Sequence, residues 1–264
     1  MAGLSRSLSQ QPAGRAAAAY LAGRWMRRRQ PALCTRISST DAMYDGLGAL
    51  SYFAVGADAL SLIRQSLLLT GTAEPRSVLD LPCGHGRVLR WMRAEWPEAR
   101  LVAADLDRDA VDFCARTFAA EGVYSAVRIE EIGLPGPFDV AWVGSLLTHL
   151  DRDRWVPTLS ALADSLRPGG CLVFTTHGQE HHQRLAGGAY VMDTGDRSAL
   201  LSGWADDGFG YAAYPGQSGY GISLSKPDWV RATVDAIPGI THLATWIAGW
   251  NHHQDVFAYS RSEA

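Results

Sequence analysis

The chain has 264 residues, 47% of them hydrophobic and 19% charged, which marks an ordinary globular protein and excludes a disordered one. A formal charge of −3 gives no electrostatic reason to expect nucleic acid or an acidic membrane as the main partner, so a small molecule fits better. The four cysteines, Cys34, Cys83, Cys114 and Cys171, form no CxxC pair and have no histidine at zinc-ligand spacing, so they read as free thiols. No apolar run approaches the roughly 20 residues that cross a bilayer, and no short apolar signal core opens the chain; the expected location is the cytoplasm.

Residues 1–40 carry Arg6, Arg15, Arg24, Arg27, Arg28, Arg29 and Arg36 and no acid, and are expected to form a basic, poorly ordered or helical extension. Lys226 is the only lysine, so much of this arginine richness is a bias of the whole sequence. Across 41–70, two glycine-rich interruptions precede Ala59, Leu60, Ile63, Leu67 and Leu68 at helical spacing, which predicts a helical cap. Within it, Tyr44 and Tyr52 either close over a ligand or pack into the core.

A buried parallel strand is expected at 77–81, then a glycine loop, a helix over 87–96 stopped by Pro97, and a second strand over 100–104 ending in Asp105. A helix over 109–120 follows. Further strands are expected at 127–129, 138–143 and 171–175, with a helix over 154–166 and RPGG as its stop. Strands alternating with helices imply a parallel sheet covered on both faces. From 178 to 225 the pattern breaks down into a stretch rich in glycine, tyrosine and aspartate, expected to be a lid over the site. A helix near Pro227 and two strands, 241–247 and 254–259, complete the chain as a hairpin-like pair.

The motif that carries chemistry is VLDLPCGHGR, 78–87. A buried strand ends in Asp80, and Gly84 and Gly86 let backbone approach a ligand closely. The following helix aims its N–H groups at the loop and suits a carboxylate, while Asp80 suits an ammonium group. Asp105, about twenty residues further on, can take two hydrogen bonds from ribose hydroxyls, with Leu106 beside it against an adenine face.

Strand, acid, GxG, helix, strand and acid in this order resemble the class I S-adenosylmethionine (SAM)-dependent methyltransferases, from about 77 to 260. The resemblance implies an α/β fold: a Rossmann-like, seven-stranded, mostly parallel sheet with helices on both faces, an N-terminal helical cap and a lid after strand five. The methyltransferase domain would span 41–264, with SAM as cofactor. Asp80, Pro82, Gly84 and Gly86 correspond to the methionine loop, where Pro82 and Cys83 depart from the small or polar residues usual there. Asp105 and Leu106 correspond to the ribose and adenine contacts, Glu130 or its neighbour Glu131 to the acid that meets the adenine amino group, and Gly144 and Ser145 to positions bordering the sulfonium. A nicotinamide-binding domain would want a third glycine where Leu89 stands and has no use for Asp80.

Transfer to a hydroxyl of a small molecule or sugar-type acceptor is the expected chemistry. N-methylation, and SAM binding without methyl transfer, are the alternatives. No DPPY or NPPY tetrapeptide follows the fourth strand, which argues against methylation of exocyclic base amines. His149 and His177, at the C-terminal edge of the sheet, are the candidate general bases. His252, His253 and Asp255 form a cluster that reads as a turn satisfied by its own hydrogen bonds, and no metal is expected. Nucleic acid and membrane are not expected as partners; a homodimer is compatible with the sequence.

Overall fold

The computed structural model describes residues 20–24, 26, 28–44, 48–217 and 219–262. Most of the basic extension, residues 1–19, lies outside them. Its described part is helical at 20–24, 26, 28 and 29, and Ala22, Met26 and Leu33 are buried in the main core. The chain from Leu33 onward is therefore part of the domain, tied in by the carbonyls of Cys34 and Arg36, which accept from Arg90.

Seven strands form one sheet in the order β3-β2-β1-β4-β5-β9-β8. They are β1 (Ser77–Asp80), β2 (Arg100–Asp105), β3 (Glu121–Tyr124), β4 (Phe138–Val143), β5 (Leu166–Thr176), β8 (Ile240–Trp250) and β9 (Gln254–Arg261). The first five run parallel, β9 runs against β5, and β8 runs against β9. This is the Rossmann-like arrangement the sequence implies. The inner strands are buried on both faces, which is why they read as continuous aliphatic runs.

One core lies on the face covered by α1 (Ala49–Leu69), α2 (Leu89–Glu95) and α3 (Arg108–Phe118); the other lies under α4 (Arg152–Asp164) and α7 (Pro227–Val234). Asp107 caps α3 by accepting from the Asp109 and Ala110 amides, and Asp151 caps α4 through Arg154 N. These caps fix where each helix starts relative to the strand ends.

Two expected elements differ. The third strand is not 127–129 but Glu121–Tyr124, an edge strand paired with β2 from Val102↔Glu121 to Asp105↔Tyr124. An edge needs little aliphatic content, so its EGVY text carries a weak signal; Val127 instead lies exposed in the loop and Ile129 starts a 3-10 turn. RPGG does not stop α4, which ends at Asp164; it forms an irregular start to β5, where Leu166 pairs with Phe138 and the register shifts. The stretch 178–225, expected as a lid after strand five, is a folded insertion. It contains α5 (Gln179–Ala186), α6 (Thr194–Asp206) and the hairpin β6 (Phe209–Ala213) to β7 (Gly221–Ser225), around a small core of Leu185, Leu200, Trp204, Ala212 and Leu224.

Among the described residues, no helix is long and apolar enough to cross a membrane.

Candidate active site

The C-terminal ends of β1, β2 and β4 meet at one edge of the sheet, and the loop from β1 to α2 crosses it. Gly84 (φ +47°) and Gly86 (φ +73°) hold the left-handed backbone that L side chains rarely adopt. Space around Gly84 is open, whereas a Cβ on Gly86 would collide with the Phe118 ring. Gly84 thus leaves open space beside its backbone, whereas Gly86 packs tightly against α3.

Asp105 fastens this loop: its Oδ2 accepts from Gly84 N at 2.8 Å and its Oδ1 from Asp107 N at 3.0 Å. Asp80 is 2% exposed, and its Oδ2 has no hydrogen-bond partner. Burial, with Asp105 nearby, holds its carboxyl well above the usual carboxylate range, although the Leu89 amide donates to it. The helix expected from 87 begins at Leu89, so the strand acid itself satisfies its first amide. Arg90, fully buried, ties the loop from behind, donating to the carbonyls of Gly86 and His85.

A cavity of about 430 Å³ opens beside this loop. Leu81, Pro82, Asp105 and Leu106 form one wall, 125–127 and Ile129 a second, and Ser145, Leu146, Leu150 and Arg154 a third; Gln217 and Tyr220 of the insertion cover it. Arg154 braces the cover to the wall, donating to Gly219 O at 2.7 Å and to Val127 O. Glu130 and Glu131 stand outside this lining, on the 3-10 turn Ile129–Glu131, both paired with Arg128.

Ser145, two residues past the end of β4, has φ +61°. This strained backbone is held by Ser145 N donating to Thr175 Oγ1 at 2.8 Å, by Thr148 Oγ1 donating to Ser145 O at 2.7 Å, and by Gln254 Nε2 donating to Ser145 Oγ at 2.8 Å. Gly144 before it lies against the Trp142 indole, leaving no room for a side chain. Ser145 also lines a second cavity of about 260 Å³, with Met43, Val55, Arg87, Trp250, Asn251, His253 and Gln254. There the Arg87 guanidinium lies over the Trp250 ring, 5.5 Å from its centre, and burial lowers its pKa from the usual arginine value.

His149 Nδ1 faces Gly221 O at 2.7 Å, and His177 Nδ1 faces Ser223 O at 3.2 Å. Both expected bases therefore dock β7 onto the sheet edge. The carbonyl partner makes Nδ1 the donor and leaves Nε2 with the lone pair. Burial lowers the His149 pKa; it takes that of His177, 7% exposed, well below the ordinary range. His149 stacks on Tyr220 at 5.1 Å, one layer behind the first cavity. His177 stacks on His181 at 3.7 Å, near His253.

Tyr44 and Tyr52 both belong to the core. Arg87, Arg154, Trp250 and Gln254 escape sequence reasoning, because a single residue in a loop, helix or far strand carries no local sign of facing a cavity made by another element; Gln217 and Tyr220 fall within 178–225, the stretch expected to cover the site. For Arg87 a signal existed: it directly follows the second glycine of the motif.

Comparison with known proteins agrees with this architecture. A sequence family described as a methyltransferase domain matches residues 78–170. A malonyl-[acyl-carrier protein] O-methyltransferase of Halalkalibacterium halodurans is 26% identical over 113 residues, 40% of this chain and 41% of that protein. An enzyme of the same name from Acetivibrio thermocellus is 29% identical over 102 residues, 38% of this chain and 35% of that protein. The matches thus span well under half of either relative. Among solved structures, the 1,6-didemethyltoxoflavin-N1-methyltransferase of Burkholderia thailandensis, with 1,6-didemethyltoxoflavin and S-adenosylhomocysteine bound, superposes with a TM-score of 0.57 at 16% identity, over 83% of each chain.

Proposed function

We propose that this chain, whose residues 78–170 match a methyltransferase-domain family, is a class I SAM-dependent methyltransferase that transfers the methyl group of SAM to a hydroxyl of a small-molecule or sugar-type acceptor. The observation that carries the reading is Ser145, whose residue lines both cavities and so joins a cofactor-sized space to a second, more polar one.

The residues present fit the cofactor. The partnerless buried oxygen of Asp80 suits the methionine ammonium, and the Asp105 carboxylate suits ribose hydroxyls. Pro82, Leu106 and the apolar walls around them suit adenine, while Gly84 gives the backbone room to approach. With the first amide of α2 taken by Asp80, the Arg87 guanidinium becomes the group suited to the methionine carboxylate. Glu130 or Glu131 could take the adenine amino group only by exchanging its Arg128 partner.

Bound SAM supplies a methyl carbon already activated by its sulfonium, so the chain has mainly to align the acceptor and exclude water. Gly144 and Ser145 would border the reacting centre, and Gln217 and Tyr220 would shield it. His149, neutral and with Nε2 free of the Gly221 contact, is the candidate to accept a proton from an acceptor hydroxyl once Tyr220, stacked on it and lining the first cavity, turns aside.

The test is incubation of the purified protein with SAM and matched panels of hydroxylated and amine acceptors, reading S-adenosylhomocysteine release and the methylated product. An O-methyl product, absent with Asp105→Ala, supports the reading. Methylation on nitrogen alone, or cofactor binding with no turnover on either panel, overturns the hydroxyl assignment.

A further inference from the structure

Three histidines meet beside the second cavity. His177 follows the end of β5, His181 lies in the first turns of α5, and His253 sits in the turn between β8 and β9. Each offers a nitrogen within 4.8 Å of the others, and His181 Nδ1 lies 3.1 Å from His253 Nε2. His181 Nε2 and His253 Nδ1 are buried with no hydrogen-bond partner. A turn satisfied by its own hydrogen bonds, the reading the sequence favours for 252–255, leaves no such orphans.

We propose that His177, His181 and His253 bind a divalent transition-metal ion of the zinc class. Imidazole nitrogens ligate zinc at about 2.0–2.1 Å, so tetrahedral ligands sit about 3.3 Å apart. The spacing of the cluster brackets that value, and the last side-chain torsion of histidine is soft enough to bring the rings onto one point. Coordination through His181 Nδ1 and His253 Nε2 would replace their mutual hydrogen bond with two metal bonds and leave His181 Nε2 and His253 Nδ1 as the outer nitrogens. His177 already has the outer partner that ligand histidines need: Nδ1 faces Ser223 O, so Nε2 is left to ligate. Burial and the neighbouring histidines push His177 down, and burial pushes His181 down to about 3, keeping both in the neutral form that binds metal.

Charge is also accommodated. Asp255 pairs with Thr176 across β5 and β9, its side chain lies against Gly178, and its Oδ2 is buried without a partner. That carboxylate stands next to the backbone that carries His177. Arg184, the nearby cation, is paired with Glu180 at 2.8 Å. An all-imidazole set favours zinc, copper or nickel over magnesium or calcium, and three protein ligands leave a fourth position for water or a substrate oxygen.

His253 lines the cavity shared with Arg87 and Gln254. A hydroxyl bound to the ion from that side would have its pKa lowered and lose its proton more readily to water. This consequence rests on the methyl-transfer reading; metal binding itself does not.

The test uses tag-free protein stripped by dialysis against a chelator, then titrated with Zn²⁺ by calorimetry and with Co²⁺ by visible absorption. About one equivalent per chain is expected, with tetrahedral Co²⁺ bands, and affinity at least about 100-fold weaker in His181→Ala and in His253→Ala. His182→Ala, adjacent but outside the cluster, should bind as wild type does. If His181→Ala fails to fold, His253→Gln, in a partly exposed turn, serves in its place. No binding by wild type, or binding unchanged in the cluster variants, overturns the proposal. S-adenosylhomocysteine binding, followed in the same samples, separates this failure from failure of the methyltransferase reading.

Discussion

Arg90 Nη2 donates to Tyr52 Oη at 3.1 Å, and that phenol donates in turn to Asp41 Oδ2 at 2.7 Å. One buried guanidinium thus links the cofactor loop, α1 and the chain before it, with Nη1 on the Cys34 and Arg36 carbonyls and Nε on Gly86 O. Its charge also lies over the Tyr52, Phe53 and Phe118 rings. Replacing Arg90 by Met removes the donors but leaves their acceptors buried. The expected loss is about 3–5 kcal/mol of folding stability, read by urea denaturation. Tyr52→Phe, which removes one hydroxyl from the same chain of bonds, should cost only about 1–2 kcal/mol.

Gly84 and Gly86 are separable. Gly86→Ala combines a left-handed backbone with a collision at Phe118 and should lower folding stability by about 2 kcal/mol or more, and the melting temperature with it. Gly84→Ala meets open space and should cost only about 1 kcal/mol, while weakening SAM binding where backbone approaches the ligand. Thermal unfolding with and without S-adenosylhomocysteine distinguishes them: ligand stabilisation should shrink more for Gly84→Ala.

Asp105 holds the loop through Gly84 N and is the proposed ribose acid, so Asp105→Ala should weaken SAM binding by about 3 kcal/mol, roughly 100-fold. Asp105→Asn keeps one acceptor and should fall between the two. Isothermal calorimetry decides; unchanged affinity in both variants would show that ribose lies elsewhere.

His149→Ala should cut turnover by about 100-fold or more with SAM affinity nearly unchanged. His149→Gln keeps a group able to reach Gly221 O and separates docking of β7 from proton transfer. Restored turnover would mean that His149 serves only to hold the hairpin.

Stability should fall on mild acidification. His149, His177, His181 and His253 all have native pKa values below the ordinary histidine value, His181 at about 3. The unfolded chain therefore takes up protons first, near pH 6.5. Their contribution is complete above that pH and is lost as pH falls toward about 3, at up to about 1.4 kcal/mol per pH unit for each fully buried ring. Asp80 and Asp255, held above the carboxylate range, act with opposite sign: native protonation of these groups offsets part of the loss. His181→Gln should lose less stability than wild type between pH 7 and 5 in paired denaturation curves.

The sheet and the loop were legible because they obey local rules. β1, β2 and β4 are buried on both faces and announce themselves as aliphatic runs, and Gly84 and Gly86 sit at a turn that only such residues tolerate. β3 was not, since an edge strand with exposed Glu121 and Tyr124 needs no hydrophobic pattern. The insertion looked irregular because α5 has only 8 residues and α6 buries little more than Leu200 and Trp204. Arg90 reads as one more helix arginine; its environment of carbonyls from 34, 36, 85 and 86 exists only after folding. For the same reason the histidine cluster draws on positions 177, 181 and 253, a spacing with no local meaning.

The insertion has a core of its own, from Leu185 to Leu224, that shares no residue with the two cores of the sheet, and among the described residues it reaches the first cavity through Gln217 and Tyr220. The second cavity takes its lining from residues outside the insertion. Substitutions at Leu185, Leu200 or Trp204 would be absorbed within that small core, so the cover of the first cavity could vary in sequence while the strand ends and the glycine loop keep their shape.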